Sequence, residues 1–273
     1  MTAANRTLSA DTVSRIAMRL HTAERTRKQI RQLTLEHHGM TIEDAYAVQR
    51  AWVAIKLAEG QRLIGRKIGL TSRVMQQASQ IDEPDYGDLL DSMYFADGSE
   101  IPAKRFIVPR VEIELAFVLN RSLSGPGCTM EQALAATDYV VPAMEIIDAR
   151  IEQVDPVTKV TRKVQDTISD NAANAGIVLG TQRILPRAVD LRWVAALCLR
   201  NDIIEESGVA AAVLNHPANG IAWLANKLAP HGVALEAGLV VLSGSFIRPI
   251  AAHAGDRFRA DYGSIGSISC KFV

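Results

Sequence analysis

The sequence predicts an α+β fold in which a helical amino-terminal segment, residues 1–62, precedes a β-rich catalytic domain, residues 63–273, with a rolled or sandwiched sheet. Three observations predict it. Apolar residues recur at helical spacing through the first sixty residues. Beyond Leu63 the chain breaks into short β-branched runs separated by Gly, Pro and Asp. Strand mostly follows strand there, without the regular strand–helix alternation of a doubly wound sheet.

Taken in order, Ser9 or Asp11 caps a first helix whose apolar side includes Val13, Ile16, Leu20, Ile30 and Leu33, with a solvated face of Arg15, Arg19, Arg25, Arg27, Lys28 and Arg31. Thr41 and Asp44 form a capping-box variant that opens a second helix, stopped by Gly60. The strand candidates are LIGRKIGL, FIVPRVEIELAFVL, YVVPAMEIID, AGIVLG, LVVLSGSF and GSISCKFV. Two helices interrupt them, one after Thr129 with Gln132 completing a capping box, the other after His216 with Pro217 at its first position. Asn201-Asp202 reads as a hairpin turn. The stretch Glu83-Pro84-Asp85-Tyr86-Gly87 reads as a loop.

The chain has 273 residues, 48% of them hydrophobic, with 30 Lys+Arg balancing 30 Asp+Glu. That length supports a sizeable core, and the balance lacks the positive field with which nucleic-acid binders capture phosphates. Cys128, Cys198 and Cys270 are few, odd in number and widely spaced, which fits neither a disulfide framework nor a CxxC zinc site. With no signal-peptide-like or bilayer-length apolar run, the expectation is a cytoplasmic protein with neither nucleic acid nor membrane as partner.

The most informative stretch is Val111-Glu112-Ile113-Glu114-Leu115-Ala116-Phe117-Val118. Alternation along a strand puts Glu112 and Glu114 on one face, and that face continues as Ala116 and Val118, so it is itself partly covered. Two carboxylates on a covered face resist desolvation and repel each other unless a proton or a cation neutralises them. Glu145, in the apolar run AMEII, is a third candidate. Three oxygen donors suit Mg²⁺ or Mn²⁺ with positions left open for substrate. The same pattern also describes the wet face of an antiparallel sheet, and spacing alone does not choose between the two. Lys67, between small and apolar neighbours, is a candidate proton shuttle with a lowered pKa, or a lysine that reaches solvent; Asp85 is a candidate base or a turn former. His37 and His38 are adjacent and diverge on a regular element. Ser243-Gly244-Ser245 lacks the nucleophile-elbow pattern, which argues against a serine hydrolase.

The runs KIGLTS (67–72), EPDYG (83–87), FIVPRVEIELAFVL (106–119), PAMEIIDAR (142–150), DTISDNAANAG (166–176), VLNHPANGIAWLANKLAP (213–230) and DYGSIGSISCKFV (261–273) resemble the fumarylacetoacetate hydrolase superfamily over nearly the whole chain. The resemblance implies that superfamily's mixed β-roll, a Mg²⁺ (or Mn²⁺) cofactor held by Glu112, Glu114 and Glu145, and proton transfer by Lys67 and Asp85. It places Gly244 and Ser245 beside the substrate. It further implies a homo-oligomeric hydro-lyase of aromatic catabolism that adds water to an unsaturated seven-carbon 2-oxo dicarboxylate. The far carboxylate of such a substrate needs a cation, for which Lys163 is the first candidate and Arg248 the second. Two rivals share the scaffold: a decarboxylase of 4-oxalocrotonate, and a carbon–carbon hydrolase, which needs a Glu/His pair that residues 71–78 lack. A third rival, from another class, is a non-catalytic oligomeric scaffold.

Overall fold

A computed structural model describes residues 6–273. Helices α1 (Ala10–Thr26), α2 (Leu33–Glu36) and α3 (Ile42–Ala58) come first. Strand β1 (Leu63–Gly69), helix α4 (Arg73–Ala78) and strand β2 (Asp85–Leu90) follow, then short strands β3 (Tyr94–Ala96) and β4 (Ser99–Ile101). Long strands β5 (Arg110–Leu119) and β6 (Thr137–Ile147) flank α5 (Met130–Ala136). After α6 (Val164–Ser169) come β7 (Asn174–Leu179), β8 (Ala195–Arg200) and β9 (Ile203–Val209). Helix α7 (Pro217–Leu228) leads to β10 (Val240–Leu242), β11 (Ile250–Ala251), β12 (Arg257–Asp261) and β13 (Ser267–Phe272).

The strands form two curled mixed sheets, the α+β roll that the sequence predicts. One runs β2-β1-β10-β5-β6-β7-β3 with β11 also on β5; the other runs β4-β13-β12-β8-β9. Pairing is antiparallel except for β1 with β10, β3 with β7 and β13 with β4. Asn201 and Asp202, both with positive φ, make the tight turn between β8 and β9. Helices α5 and α7 start where the caps Thr129 and His216 put them, the latter with its Nδ1 accepting from the Ala218 amide.

The first helix is shorter than its periodicity suggests. It stops at Arg27, whose φ of 54° turns the chain out of the helix. Ile30 then adds to the loop after β6: its amide donates to the Arg150 carbonyl and its carbonyl accepts from the Glu152 amide. Tertiary hydrogen bonding overrides propensity here, and Leu33 belongs to α2. Helix α3 opens on the Thr41–Asp44 capping box, and Asp44 also accepts from the amides of Thr7 and Leu8. Two features depart from the expected loops. Asp85 is the first residue of β2, in register with Gly69, and α4 and α6 are short helices beyond the two expected in the β-rich part.

Ile16, Leu20 and Trp52 of the helical segment are buried in the same core as Ile113, Phe117 and Ile146 of the sheet. Each such side chain removed from water contributes about 1.5–3 kcal/mol. The helical segment is thereby one layer of the core, packed behind the strands that carry the acidic residues. Among the described residues, no helix is long and apolar enough to cross a membrane.

Candidate active site

The site grows out of the β5–β6 ladder. Glu112 is in register with Glu145, and Glu114 with Ala143. Since alternate residues of a strand share a face, these pairings bring three carboxylates onto one patch of sheet. One oxygen from each of Glu112, Glu114 and Glu145 lies within 4.8 Å of the other two. Glu114 and Glu145 are buried and Glu112 is half-buried, so the patch is not the wet face of the sheet.

Each carboxylate is aimed by a neighbour. The Gly244 amide donates to Glu114 Oε2 at 2.7 Å. Gly244 has φ +117°, and a side chain there would collide with Thr71, so only glycine holds this amide in place. Asn174 Nδ2 donates to Glu145 Oε1 at 2.8 Å, and Lys67 Nζ lies 3.2 Å from the same oxygen. Lys67 reaches the cluster from β1, which is joined to β5 through β10. Asp85 comes from β2 across Gly69, where an added Cβ would strike Asp85 Oδ1 and press on Lys67 Nζ. That missing side chain lets the acid and the base approach.

Four carboxylates thus face one buried ammonium. Burial alone would lower Lys67, but Glu145, Asp85, Glu112 and Glu114 outweigh it and the net shift is upward. The sequence expectation of a lowered lysine presupposes a divalent cation beside it; without one, the protein's own acids outweigh its low-dielectric walls. Burial, reinforced by Glu145, pushes Glu112 up to about 8 against the pull of Lys67. Glu114 is raised well above the usual range by burial, Glu145 and Glu112. Burial also raises Asp85, with Lys67 opposing. Both Asp85 oxygens and Glu145 Oε2 are buried without a hydrogen-bond partner among the described residues. Such groups call for a ligand, and an all-oxygen donor set with excess negative charge fits a hard divalent cation.

The other expected site residues separate. Ser245 is spent on its own turn, its hydroxyl donating to the Ile247 carbonyl at 2.9 Å and accepting from the Ile247 amide. Lys163 is solvent-exposed as the residue preceding α6 and is not brought into the cluster. Arg248 is paired with Glu206 on the second sheet. Sequence reasoning missed Asn174 and Tyr262, although both lie inside the motifs DTISDNAANAG and DYGSIGSISCKFV. Tyr262 donates its hydroxyl to the carbonyls of Glu114 and Ala143, tying the second sheet to the carboxylate strands.

No protein-family model matches the chain. It is 63% identical over 258 residues, 94% of its length and 97% of the relative's, to 2-oxo-hept-4-ene-1,7-dioate hydratase of Escherichia coli. Among solved structures it is similar to 4-oxalocrotonate decarboxylase of Pseudomonas putida G7, complexed with magnesium and adipate: the TM-score is 0.93 at 33% identity, over 98% of this chain and 100% of that one. Fumarylpyruvate hydrolase from Pseudomonas aeruginosa, solved with Mn²⁺ and pyruvate, shares the fold at a TM-score of 0.58 and 12% identity, over 76% of this chain and 88% of that one.

Proposed function

The chain belongs to the fumarylacetoacetate hydrolase superfamily, and from that premise we propose that it is a metal-dependent hydro-lyase adding water to 2-oxo-hept-4-ene-1,7-dioate, to give 4-hydroxy-2-oxoheptanedioate. The observation that carries this reading is the 63% identity, over almost the full length of both chains, to an enzyme named for that substrate. The geometry supports it with a site suited to enolising a 2-oxo acid.

Glu112, Glu114 and Glu145 would hold Mg²⁺ or Mn²⁺, which when bound supplies positive charge where a 2-oxo acid head accumulates negative charge. Gly244 and Asn174 keep Glu114 and Glu145 aimed inward. Asp85, with both oxygens free and its basicity raised by burial, takes a proton from C3 of the substrate. Lys67, kept protonated by its acidic neighbours, delivers a proton to C5, so that the double bond moves from C4–C5 to C3–C4 and becomes conjugated with the ketone. Water then adds its hydroxyl to C4 while a proton returns to C3. No covalent nucleophile is required, in keeping with the buried, unreactive surroundings of Cys128, Cys198 and Cys270.

Those three unpaired cysteines also support a reducing, cytoplasmic location. Exposed Trp193, just before β8, and exposed Ile203 and Ile204, on the edge strand β9, support a homo-oligomer, which light scattering would measure. The functional test is product analysis of purified protein with Mg²⁺. Formation of 4-hydroxy-2-oxoheptanedioate, abolished by EDTA, is expected. Release of carbon dioxide instead would assign the chain to decarboxylation.

A further inference from the structure

The segment between α6 and β7 departs from ordinary backbone. Asn171, Ala172 and Ala173 are consecutive and all left-handed, with φ of 52°, 49° and 59°. Apart from glycine, and at times asparagine, residues visit this region singly, because Cβ crowds the following carbonyl oxygen. A run of three, two of them alanine, persists only where its surroundings over-determine it. Three grips do so here. Buried Arg150, just past β6 and ion-paired with Asp170, donates from Nη2 to the Asp170 carbonyl at 2.6 Å and from Nη1 to the Asn174 carbonyl at 3.1 Å. It thereby holds both ends of the turn. The Asp148 amide donates to the Ala173 carbonyl at 2.7 Å. The third grip is that of Asn171 itself, on β2.

Strand β2 is the last strand of its sheet, so one side of its backbone has no neighbouring strand. At Asp88 the side chain of Asn171 takes that place: its Oδ1 accepts from the Asp88 amide at 2.8 Å and its Nδ2 donates to the Asp88 carbonyl at 2.9 Å. One side-chain amide thus imitates a strand partner and satisfies both backbone groups. Gly87 makes room for it, since a Cβ there would lie 2.5 Å from the Asn171 carbonyl oxygen. Gln49 of α3 covers the same edge two residues earlier, its Nε2 donating to the Tyr86 carbonyl at 2.7 Å. Asn171 is fully buried, and both polar ends of its side chain are spent on β2.

The turn joins two parts of the chemistry. Asp85 opens β2, three residues before Asp88. Asn174 ends the left-handed run, and its Nδ2 donates to Glu145 Oε1. We infer that Asn171 is a positioning residue: by clasping Asp88 it holds Asp85 and the Asn174–Glu145 pair in one frame, so that the base and the metal ligand keep their separation. This deepens the proposed function and rests on it. The strained backbone gives the clasp something to resist. Without it the run is free to relax toward the right-handed region, which moves Asn174 relative to β2. A displacement of about 1 Å at a reacting group is enough to cost about 10²-fold in rate.

The test compares the full-length protein with Asn171→Gly, which keeps the left-handed φ but removes the clasp, and with Ala172→Gly, which relaxes the same turn but leaves the clasp. Measured well below each melting temperature, Asn171→Gly is expected to lower kcat about 10- to 100-fold, with KM within about threefold of the parent's. Calorimetry should show Mg²⁺ bound about tenfold or more weakly, as Asn174 loses its hold on Glu145. Ala172→Gly should keep both quantities within about twofold, since it changes backbone freedom alone. A merely structural Asn171 would lower the melting temperature and nothing else, so parental kcat or parental Mg²⁺ affinity in folded Asn171→Gly would overturn the assignment. Equal losses in Ala172→Gly would overturn it too, because they would trace the effect to the turn and not to the clasp. If Asn171→Gly does not fold, Asn171→Asp carries the test with the same bounds: it tolerates left-handed φ and accepts from the Asp88 amide, but its carboxylate has no proton for the Asp88 carbonyl. If the parent protein hydrated no substrate, the function itself would fail, while the Mg²⁺ affinities of the variants would still decide the clasp.

Discussion

Glu112 and Glu145 stand directly opposite each other across β5 and β6, two carboxyl groups that become like charges once both ionise. Such a pair destabilises a sheet unless something lies between them. The arrangement is thus a stability cost retained for a ligand. Glu112→Gln is expected to raise the melting temperature of the EDTA-treated protein by a few degrees, corresponding to about 1 kcal/mol. The same change should weaken Mg²⁺ and Mn²⁺ binding at least about 100-fold in calorimetry. A variant that bound metal like the parent would remove Glu112 from the ligand set.

The pH dependence follows in sign from the same carboxylates. Burial and Glu145 raise Glu112 to about 8, with Lys67 opposing, Asp85 adding and Arg110 opposing; Glu114 is raised as well. A carboxyl whose folded pKa exceeds its unfolded value stabilises the fold fully below the unfolded pKa, and that contribution is lost as pH rises through the folded one. Metal-free protein should therefore lose stability between about pH 4.5 and 8. Saturating Mg²⁺ should flatten this slope, since the cation takes over the neutralisation. Melting curves across this range, with EDTA and with Mg²⁺, check it; a slope that Mg²⁺ leaves unchanged would count against the cluster as the metal site.

Asp85 and Lys67 meet at Gly69, and neither belongs to the set of three glutamates. Their replacement should separate chemistry from metal binding. Asp85→Asn is expected to lower kcat by about 10²- to 10⁴-fold while Mg²⁺ affinity stays within about tenfold of the parent's. Lys67→Met should lower kcat similarly. Loss of metal binding in Asp85→Asn, rather than of turnover, would make it a ligand instead of a base.

Much of this site is legible in the sequence because its key step is local. Alternation within β5 alone puts Glu112 and Glu114 on one face, and the apolar residues beyond them mark that face as covered. The caps at Thr41, Thr129 and His216 are equally local, and each opens a helix. What alternation cannot supply is register. The pairing of Glu112 with Glu145 is set by 32 residues of intervening chain, and Asp85 looks like a turn former until β1 takes it into a strand. Arg162 and Lys163 are adjacent in sequence, and only the hairpin between Gln153 and Arg162 decides which one is partly buried. The early end of α1 has the same origin, a bridge from Ile30 to a strand-end loop some 120 residues away.

Gly244 tests how far the backbone itself positions a ligand. Its amide holds Glu114 and its φ of +117° excludes other residues. Gly244→Ala should cost about 1–3 kcal/mol of stability. It should also weaken Mg²⁺ binding about tenfold or more as the Glu114 carboxylate loses its guide. Parallel calorimetry and thermal unfolding measure both, and unaltered metal affinity would show that Glu114 needs no such support.

Tyr262 carries the same logic into the second sheet. Its hydroxyl has one proton and two acceptors, the carbonyls of register partners Glu114 and Ala143, at 2.7 and 2.9 Å. The residue follows β12, so this one group ties the second sheet to the strands bearing the carboxylates. Tyr262→Phe retains the ring and its edge contact with Phe246, whose centroid lies 6.3 Å away, so packing is preserved while the donor is lost. Two buried carbonyls without that donor should cost about 1–3 kcal/mol. For a chain of this size that lowers the melting temperature by about 2–4 °C per kcal/mol. If the phenol also sets the position of Glu114, Mg²⁺ affinity should fall about tenfold with it. A drop in stability with no change in metal affinity would confine Tyr262 to holding the two sheets together.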